Sequence, residues 1–382
     1  MRIYYLTAFF FINFIFAWSQ ESKLKLLFIG DIMGHGPQIQ AAFNAKTQTY
    51  NYDNSFIFMK EILSEPDFSI GNLEVTLGTK PYSGYPMFSS PPELAVSIKK
   101  AGIDVLGTAN NHSCDRGQKG IENTIHILDS LEISHLGTYE NSHEKEKSNV
   151  LILEKNGIKI GLINYTYGTN GLSIPYPNIV NVLDKKTLEI DINKAKSHHP
   201  DVLIAFLHWG LEYKDFPVDQ QKEWFDYFKT QGVNIVIGSH PHVVEPMEWD
   251  KNNETIVVYS LGNFISNQRF FKSDGGALFE LTLIKNNQNE IEIKDAQYIL
   301  TWVYKRLLGG KTDYFVLPID EFKFKKHFFT NSQDFNQMIK FGNHVNQLLQ
   351  KNNINIFEKK IFTKDLNKFM REVYINADLD LK

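Results

Sequence analysis

Five apolar runs of strand length in this chain each end in a cluster of Gly, Asn, Asp, Glu or His. Lys25 to Ile29 runs into Gly30-Asp31, and Phe68 to Ile70 into Gly71-Asn72-Leu73-Glu74. Asp104 to Thr108 leads to Asn110-Asn111-His112-Ser113-Cys114-Asp115-Arg116-Gly117. Asp201 to Leu207 ends in His208-Trp209-Gly210-Leu211-Glu212, and Asn234 to Ile237 in Gly238-Ser239-His240-Pro241-His242. Helical patterns over Ser55 to Leu63, Pro92 to Lys100, Gln118 to Leu131 and Asp219 to Gln231 separate most of them, which is how parallel α/β units read. In such sheets ligands gather at the carboxyl ends of the strands, where loops meet in a crevice between helix N-termini. An α/β fold that brings these polar side chains to one edge is expected.

The rest of the chain departs from that rhythm. Val150 to Glu154 and Lys159 to Asn164 read as a hairpin turned by Asn156-Gly157, marking a second sheet. Thr255 to Tyr259, Ala277 to Ile284 and Glu290 to Leu300 carry no helix between them and are expected to be antiparallel. From about Leu308 the sequence turns polar and rich in Lys and Phe. It then enters a helix with Phe335, Met338, Phe341, Val345 and Leu348 near helical spacing. The expected organisation is a signal segment over 1–19, an α/β domain over 24–307 and a mostly helical C-terminal accessory region over 308–382.

The N-terminus indicates export. Arg2 precedes an apolar run from Tyr4 to Trp18, with Ala17 and Ser19 at the −3 and −1 positions for cleavage after Ser19. No lipobox cysteine follows. An uncleaved anchor is the alternative, but the run is shorter than the ~20 residues a membrane span needs. The folded part is placed outside the cytoplasm, in the periplasm or at the cell surface. Cys114 is the single cysteine, so no intramolecular disulfide can form, and its setting reads as that of a small apolar filler. A net charge of −4 gives no basic footprint, which argues against nucleic acid as a partner. The 13% aromatic content would suit carbohydrate stacking, but an AT-rich genome explains it more simply.

Carboxylate, amide and imidazole donors together suit borderline divalent metals such as Mn, Zn or Fe. Two such ions about 3.5 to 4 Å apart clamp both the attacking and the leaving oxygen of a phosphoryl group. A bridging carboxylate is needed to hold them that close, and Asp31 or Glu74 is suited to it. His240 and His242, two apart in an extended segment, would point the same way. Glu212 either orients a ligand histidine or caps a turn. Each residue alone has an ordinary turn or cap reading; their recurrence at five strand ends favours one shared site.

The ordered motifs resemble the CapA-type family of capsule and poly-γ-glutamate synthesis proteins. They are Gly30-Asp31, Asn72-Leu73-Glu74, Asn110-Asn111-His112 with Asp115-Arg116-Gly117, His208-Trp209-Gly210-Leu211-Glu212, Gly238-Ser239-His240-Pro241-His242 and Tyr259-Ser260-Leu261-Gly262-Asn263-Phe264. The resemblance spans about Lys25 to Leu317. That family is similar to calcineurin-like metallophosphatases, which implies a four-layer α/β/β/α sandwich with two divalent ions. By the resemblance, Asp31, Asn111, His208, His240 and His242 are ligands and Glu74 replaces the usual bridging Asp. His112 would be a general acid or transition-state donor, with Asn72, Asp115, Glu212 and Asn263 supporting the ligands. Phosphatases begin Asp-x-His, whereas Met33 stands here and His35 follows two residues later. The implied role is metal-dependent hydrolysis or transfer on an anionic extracellular polymer or its phosphorylated precursor, alongside membrane-bound synthesis proteins. A general phosphoesterase and a non-catalytic polymer-binding or assembly subunit are the alternatives.

Overall fold

The computed structural model describes the backbone of residues 22–380 and side chains through 373; the expected signal segment over 1–19 lies outside the described residues. β1 (Ser22–Ile32), β2 (Phe68–Leu73), β3 (Val105–Gly107) and β4 (Ser134–Leu136) begin one sheet. β5 (Leu151–Lys155), β6 (Ile158–Thr166), β7 (Val202–His208), β8 (Ile235–Ser239), β9 (Met247–Asp250) and β10 (Thr255–Val258) form a second. β11 (Asn263–Ile265), β12 (Gly275–Lys285), β13 (Ile291–Leu308) and β14 (Lys311–Pro318) return to the first sheet. Its order is β14-β13-β12-β1-β2-β3-β4, with β11 alongside the end of β1. The second runs β5-β6-β7-β8-β10-β9.

Alternation along the strands builds the layers. Leu24, Leu26 and Phe28 of β1 point to the inside, where they join Ile204 and Phe206 of β7 and Ile235 and Ile237 of β8 in one core between the sheets. Leu27 and Ile29 point outward and pack with Phe56, Leu94 and Ile98 from the 53–64 helical segment and α1 (Glu93–Ala101). Ala205 and Leu207 of β7 face outward on the other side. They meet Leu188 and Ile192 of α3 (Lys185–Ser197) and Phe225 and Phe228 of α4 (Asp219–Thr230), while α2 (Gly117–Ser130) follows the third motif. The result is an α/β/β/α sandwich. Each fully buried aliphatic or aromatic side chain contributes roughly 1.5–3 kcal/mol of transfer free energy.

Several expectations need correction. Thr255–Val258 is not simply antiparallel: it runs parallel to β8 and antiparallel only to the short β9. The expected helix over Ser55 to Leu63 is broken into two α turns and a 3-10 turn, and α3 was not anticipated. The stretch from 308 onward is not helical at its start, because β14 is the edge strand of the first sheet. Beyond it, α5 (Ser332–Asn352) buries Met338, Phe341, Val345 and Leu349, so Leu349 rather than Leu348 faces the core. α6 (Leu366–Asp380) follows. Among the described residues, no helix is long and apolar enough to cross a membrane.

Candidate metal centre

All five polar clusters meet at one edge of the sandwich, where parallel strands from both sheets end. β1 aligns with β2 as far as Ile32↔Leu73, and β7 with β8 at His208↔Ser239. Parallel register therefore brings Asp31, Asn72, Glu74, His208 and His240 to the same level. Two close backbone approaches make this possible. A Cβ on Gly30 would lie 2.0 Å from the Gly262 oxygen, and one on Gly238 2.0 Å from the Tyr259 oxygen. Glycine is required at both by space.

Glu74, His208 and His240 form one trio whose ligand atoms lie within 4.8 Å of one another; Asp31, Glu74 and His242 form another. Glu74 belongs to both. Its carboxylate is fully buried and neither oxygen has a hydrogen-bond partner. Burial, reinforced by the Asp31 charge, pushes its pKa well above the usual carboxylate range. A buried carboxylate without hydrogen-bond partners is costly, and a divalent cation is a partner that would offset that cost.

Around the first trio, His208 Nε2 lies 2.9 Å from Asn111 Oδ1, 3.1 Å from His240 Nδ1 and 3.6 Å from Glu74 Oε1. Burial and the neighbouring histidines hold His208 well below the ordinary imidazole pKa, and burial takes His240 to about 3. Both are thus neutral, the form that donates a lone pair to a metal. In the second trio, His242 Nδ1 is 3.1 Å from Asp31 Oδ2 and 3.1 Å from Asn263 Oδ1, and Nε2 is 3.8 Å from Glu74. Glu212, largely exposed, approaches the same nitrogen at 3.9 Å. Asn72 donates to Asp31 Oδ1 at 2.7 Å and lies 3.1 Å from His208 Nδ1, so it links the two groups.

The segment carrying His240 and His242 is not extended, as spacing alone would have it. Both residues take positive φ, 102° and 58°, so the chain turns at each and sends the two rings to different trios. Such backbone costs roughly 1–3 kcal/mol per residue and persists only where surroundings impose it.

Beside the trios, His112 Nδ1 sits 2.8 Å from Asp115 Oδ2, which also accepts the Phe88 amide at 2.6 Å. A carboxylate can only accept, so Nδ1 carries the proton toward Asp115. The Phe88 ring stands edge-on to His112 at 4.6 Å and to His35 at 5.1 Å. Met33 is buried in the core beneath the outer helices. His35 accepts the Asn267 amide at Nδ1, and burial lowers its pKa to about 4. Neither residue belongs to a ligand trio among the described residues. Cys114 packs with Ala109, Ile121, Ile125 and Val180.

Two residues near the trios carry no mark in the sequence motifs. Tyr167 follows β6 and places its ring 4.6 Å from His240, and Tyr213 lies 5.9 Å from His242. Tyr167 was findable, since β6 ends at the same edge as β7; Tyr213, one residue after Glu212, carried only that proximity as a signal.

Residues 25–268 match the model of the bacterial capsule synthesis protein family PGA_cap. Over 286 residues the chain is 27% identical to the capsule biosynthesis protein CapA of Bacillus anthracis, covering 72% of this chain and 67% of that protein. Over 302 residues it is 28% identical to the PGA biosynthesis protein CapA of Bacillus subtilis (strain 168), covering 74% and 77%. Among solved structures it is similar to the NAD nucleotidase of Haemophilus influenzae, with a TM-score of 0.47 and 13% identity over 94% of this chain and 68% of that one. A hypothetical protein from Thermus thermophilus gives a TM-score of 0.44 at 12% identity, over 72% and 98%.

Proposed function

The chain belongs to the bacterial capsule synthesis protein family PGA_cap, and from that premise we propose that it is an exported, metal-dependent hydrolase or transferase acting on an anionic extracellular polymer or its phosphorylated precursor. The observation that carries this reading is Glu74: a fully buried carboxylate, without hydrogen-bond partners, shared by two groups of metal-ligating side chains. Glu74, Asn111, His208 and His240 would hold one divalent ion, and Asp31, Glu74 and His242 a second, of the Mn, Zn or Fe class. Bound there, such ions would supply Lewis acidity and a water of lowered pKa.

The chain's own groups divide the remaining work. Asn72 fixes the Asp31 carboxylate and the His208 ring, so both are set before substrate arrives. Asp115 anchors His112 through Nδ1–H and would stabilise the imidazolium, the form in which Nε2–H can donate a hydrogen bond or proton to an oxygen of the substrate that gains charge. Glu212 stands at the exposed side of His242, where it can steer that ring. The second ion site has fewer donors than the first, because Met33 turns into the core and His35 is held by Asn267. Unequal affinity follows, with the first ion tight and the second exchanging.

Elemental analysis of the chain from residue 20, compared with the double variant His240→Ala/His242→Ala, tests this, together with turnover of a generic phosphodiester. Between one and two metals per chain, lost in the variant along with turnover, is expected. Turnover of many simple phosphoesters would favour a general phosphoesterase. Intact metal with no turnover of phosphoester or capsule precursor would favour a polymer-binding subunit. A folded chain that takes up no metal from Mn or Zn would sink the metal reading.

A further inference from the structure

One histidine at the metal centre, His35, has no part in the chemistry above. Beyond β1 and β11, the ladder that pairs Asp31 with Asn263 and Ile32 with Ile265 continues as the Met33 amide donates to Ile265 O at 2.9 Å. Its next rung is a side chain: the Asn267 amide donates to His35 Nδ1 at 3.2 Å. Asn267 is itself held, since its Oδ1 accepts from the Tyr314 hydroxyl at 2.5 Å. His35 is thus built into the two segments that carry Asp31 and Asn263, whose side-chain oxygens each lie 3.1 Å from His242 Nδ1. On its other side the ring stands edge-on to Phe88, which stands edge-on to His112, so one phenyl ring supports both imidazoles. After burial and the Gln38 contact, the groups that bear electrostatically on His35 are His242 and His112.

These contacts fix the tautomer. A main-chain N–H can only donate, so His35 Nδ1 offers it a lone pair. Gln38 Oε1 lies 3.3 Å from the same nitrogen, but it already accepts the His35 main-chain N–H at 2.9 Å, while Gln38 Nε2 is turned to Met33 O. A proton on Nδ1 would face the Asn267 amide hydrogen and strand that amide without its acceptor. The proton of the neutral ring is therefore on Nε2. Among the described residues Nε2 has no hydrogen-bond partner, and it is not sealed from solvent. To ligate a metal through Nε2, the ring would have to move its proton to Nδ1, against the Asn267 amide. What it can do for a ligand is donate Nε2–H without giving the proton up. His112 is set the other way, because Asp115 at its Nδ1 favours the imidazolium.

We propose that His35 is a substrate-binding donor: its Nε2–H bonds an anionic oxygen of the group held at the metal centre, alongside His112. The placement of that group rests on the metal-centre reading; the fixed donor does not. Phosphoryl and carboxylate groups both offer such an oxygen, and two probes separate them.

The test uses the full chain from residue 20. Nitrogen NMR of the metal-free wild type, with His35 assigned against His35→Gln, is expected to show Nδ1 bare and Nε2 protonated. Calorimetric titrations with inorganic phosphate and with a γ-glutamate hexamer follow, on zinc-loaded and on metal-free protein. His35→Asn keeps an acceptor for the Asn267 amide but has no N–H at the Nε2 position. It is expected to weaken at least one probe about tenfold, as loss of a hydrogen bond to a charged group does, with metal content unchanged. His35→Gln puts an N–H back near that position and is expected to recover affinity to within about threefold of the wild type. The probe that responds identifies the oxygen. Elemental analysis reads the metal separately: a wild type without metal sinks the metal reading, and the metal-free titrations then decide the proposal. A proton on Nδ1 overturns it, as does a His35→Asn variant that weakens neither probe, or a wild type that binds neither. So does a His35→Gln variant as weak as His35→Asn at unchanged melting temperature, which would assign the loss to shape. Should His35→Asn fail to fold, the wild-type ring decides: a probe is expected to shift the Nε2 resonance, and no shift with either overturns the proposal.

Discussion

At the scale of single residues, the centre concentrates features that a merely structural core avoids. Glu74 has no hydrogen-bond partner, His240 and His242 take positive φ, and three imidazoles are buried within reach of one carboxylate. Each is unfavourable alone, and together they are what a cation would repay in electrostatic attraction. Another buried acid behaves differently. Glu245 accepts from Gln221 at 2.8 Å, leaves its other oxygen unpartnered, and has its pKa raised to about 8 by burial. Raised in the folded state, it keeps its proton where the unfolded chain has released it. Its contribution is therefore fully present below about pH 4.5 and is lost as pH rises toward 8, a loss on the order of a few kcal/mol. Glu245→Gln cannot ionise. Melting temperatures measured from pH 5 to 8 should fall less steeply in the variant than in the wild type, and equal slopes would show that Glu245 does not titrate there.

At the scale of elements, what matters is how closely strands and their loops approach. Gly238, one residue before the end of β8, lies beneath Trp209, whose indole N–H donates to Tyr259 O at 2.9 Å. A methyl group on Gly238 would lie 2.0 Å from that oxygen and 2.3 Å from the indole nitrogen. Gly238→Ala must therefore push the β8 end away from the 259–262 segment, at a cost of about 1–3 kcal/mol or more. His240 and His242 follow directly, so metal content should fall with the melting temperature. If calorimetry and elemental analysis both matched the wild type, the close approach would be dispensable. Elements such as these were largely legible in the sequence: strand-length apolar runs marked β1, β2, β7 and β8, and the polar clusters after them marked the edge where they meet. The turn at His240 and His242 was not, because positive φ in a non-glycine residue is imposed by tertiary contacts. Nor was the parallel pairing of β10, since no helix precedes it and pairing partners are not encoded in one strand's pattern. α3 escaped notice because charged residues interrupt its apolar stripe of Leu188, Ile192 and Ala195. The shift from Leu348 to Leu349 has the same origin, since both fit a helical stripe until the sheet it packs on is known.

At the scale of the whole molecule, the C-terminal helices are part of the same body as the metal centre. The three antiparallel strands β12, β13 and β14 widen the first sheet, and their inner residues Tyr298, Leu300, Trp302, Tyr304, Phe315 and Leu317 need a cover. Phe328, Met338, Phe341, Val345 and Leu349 supply it, within the cluster that also holds Phe28 of β1 and Phe206 of β7. The contact is close: a Cβ on Gly275, which opens β12, would lie 2.8 Å from the Phe341 ring. Asp31 and the ligands from the second sheet stand on strands that share this core, so loosening α5 should loosen the centre. Leu349→Ala removes a fully buried side chain and should cost ~2–5 kcal/mol. In urea, tryptophan fluorescence should show one transition, displaced to lower concentration in the variant, and release of metal should coincide with it in both proteins. An independent C-terminal unit would instead give two transitions, with Leu349→Ala moving only the one that leaves the metal in place.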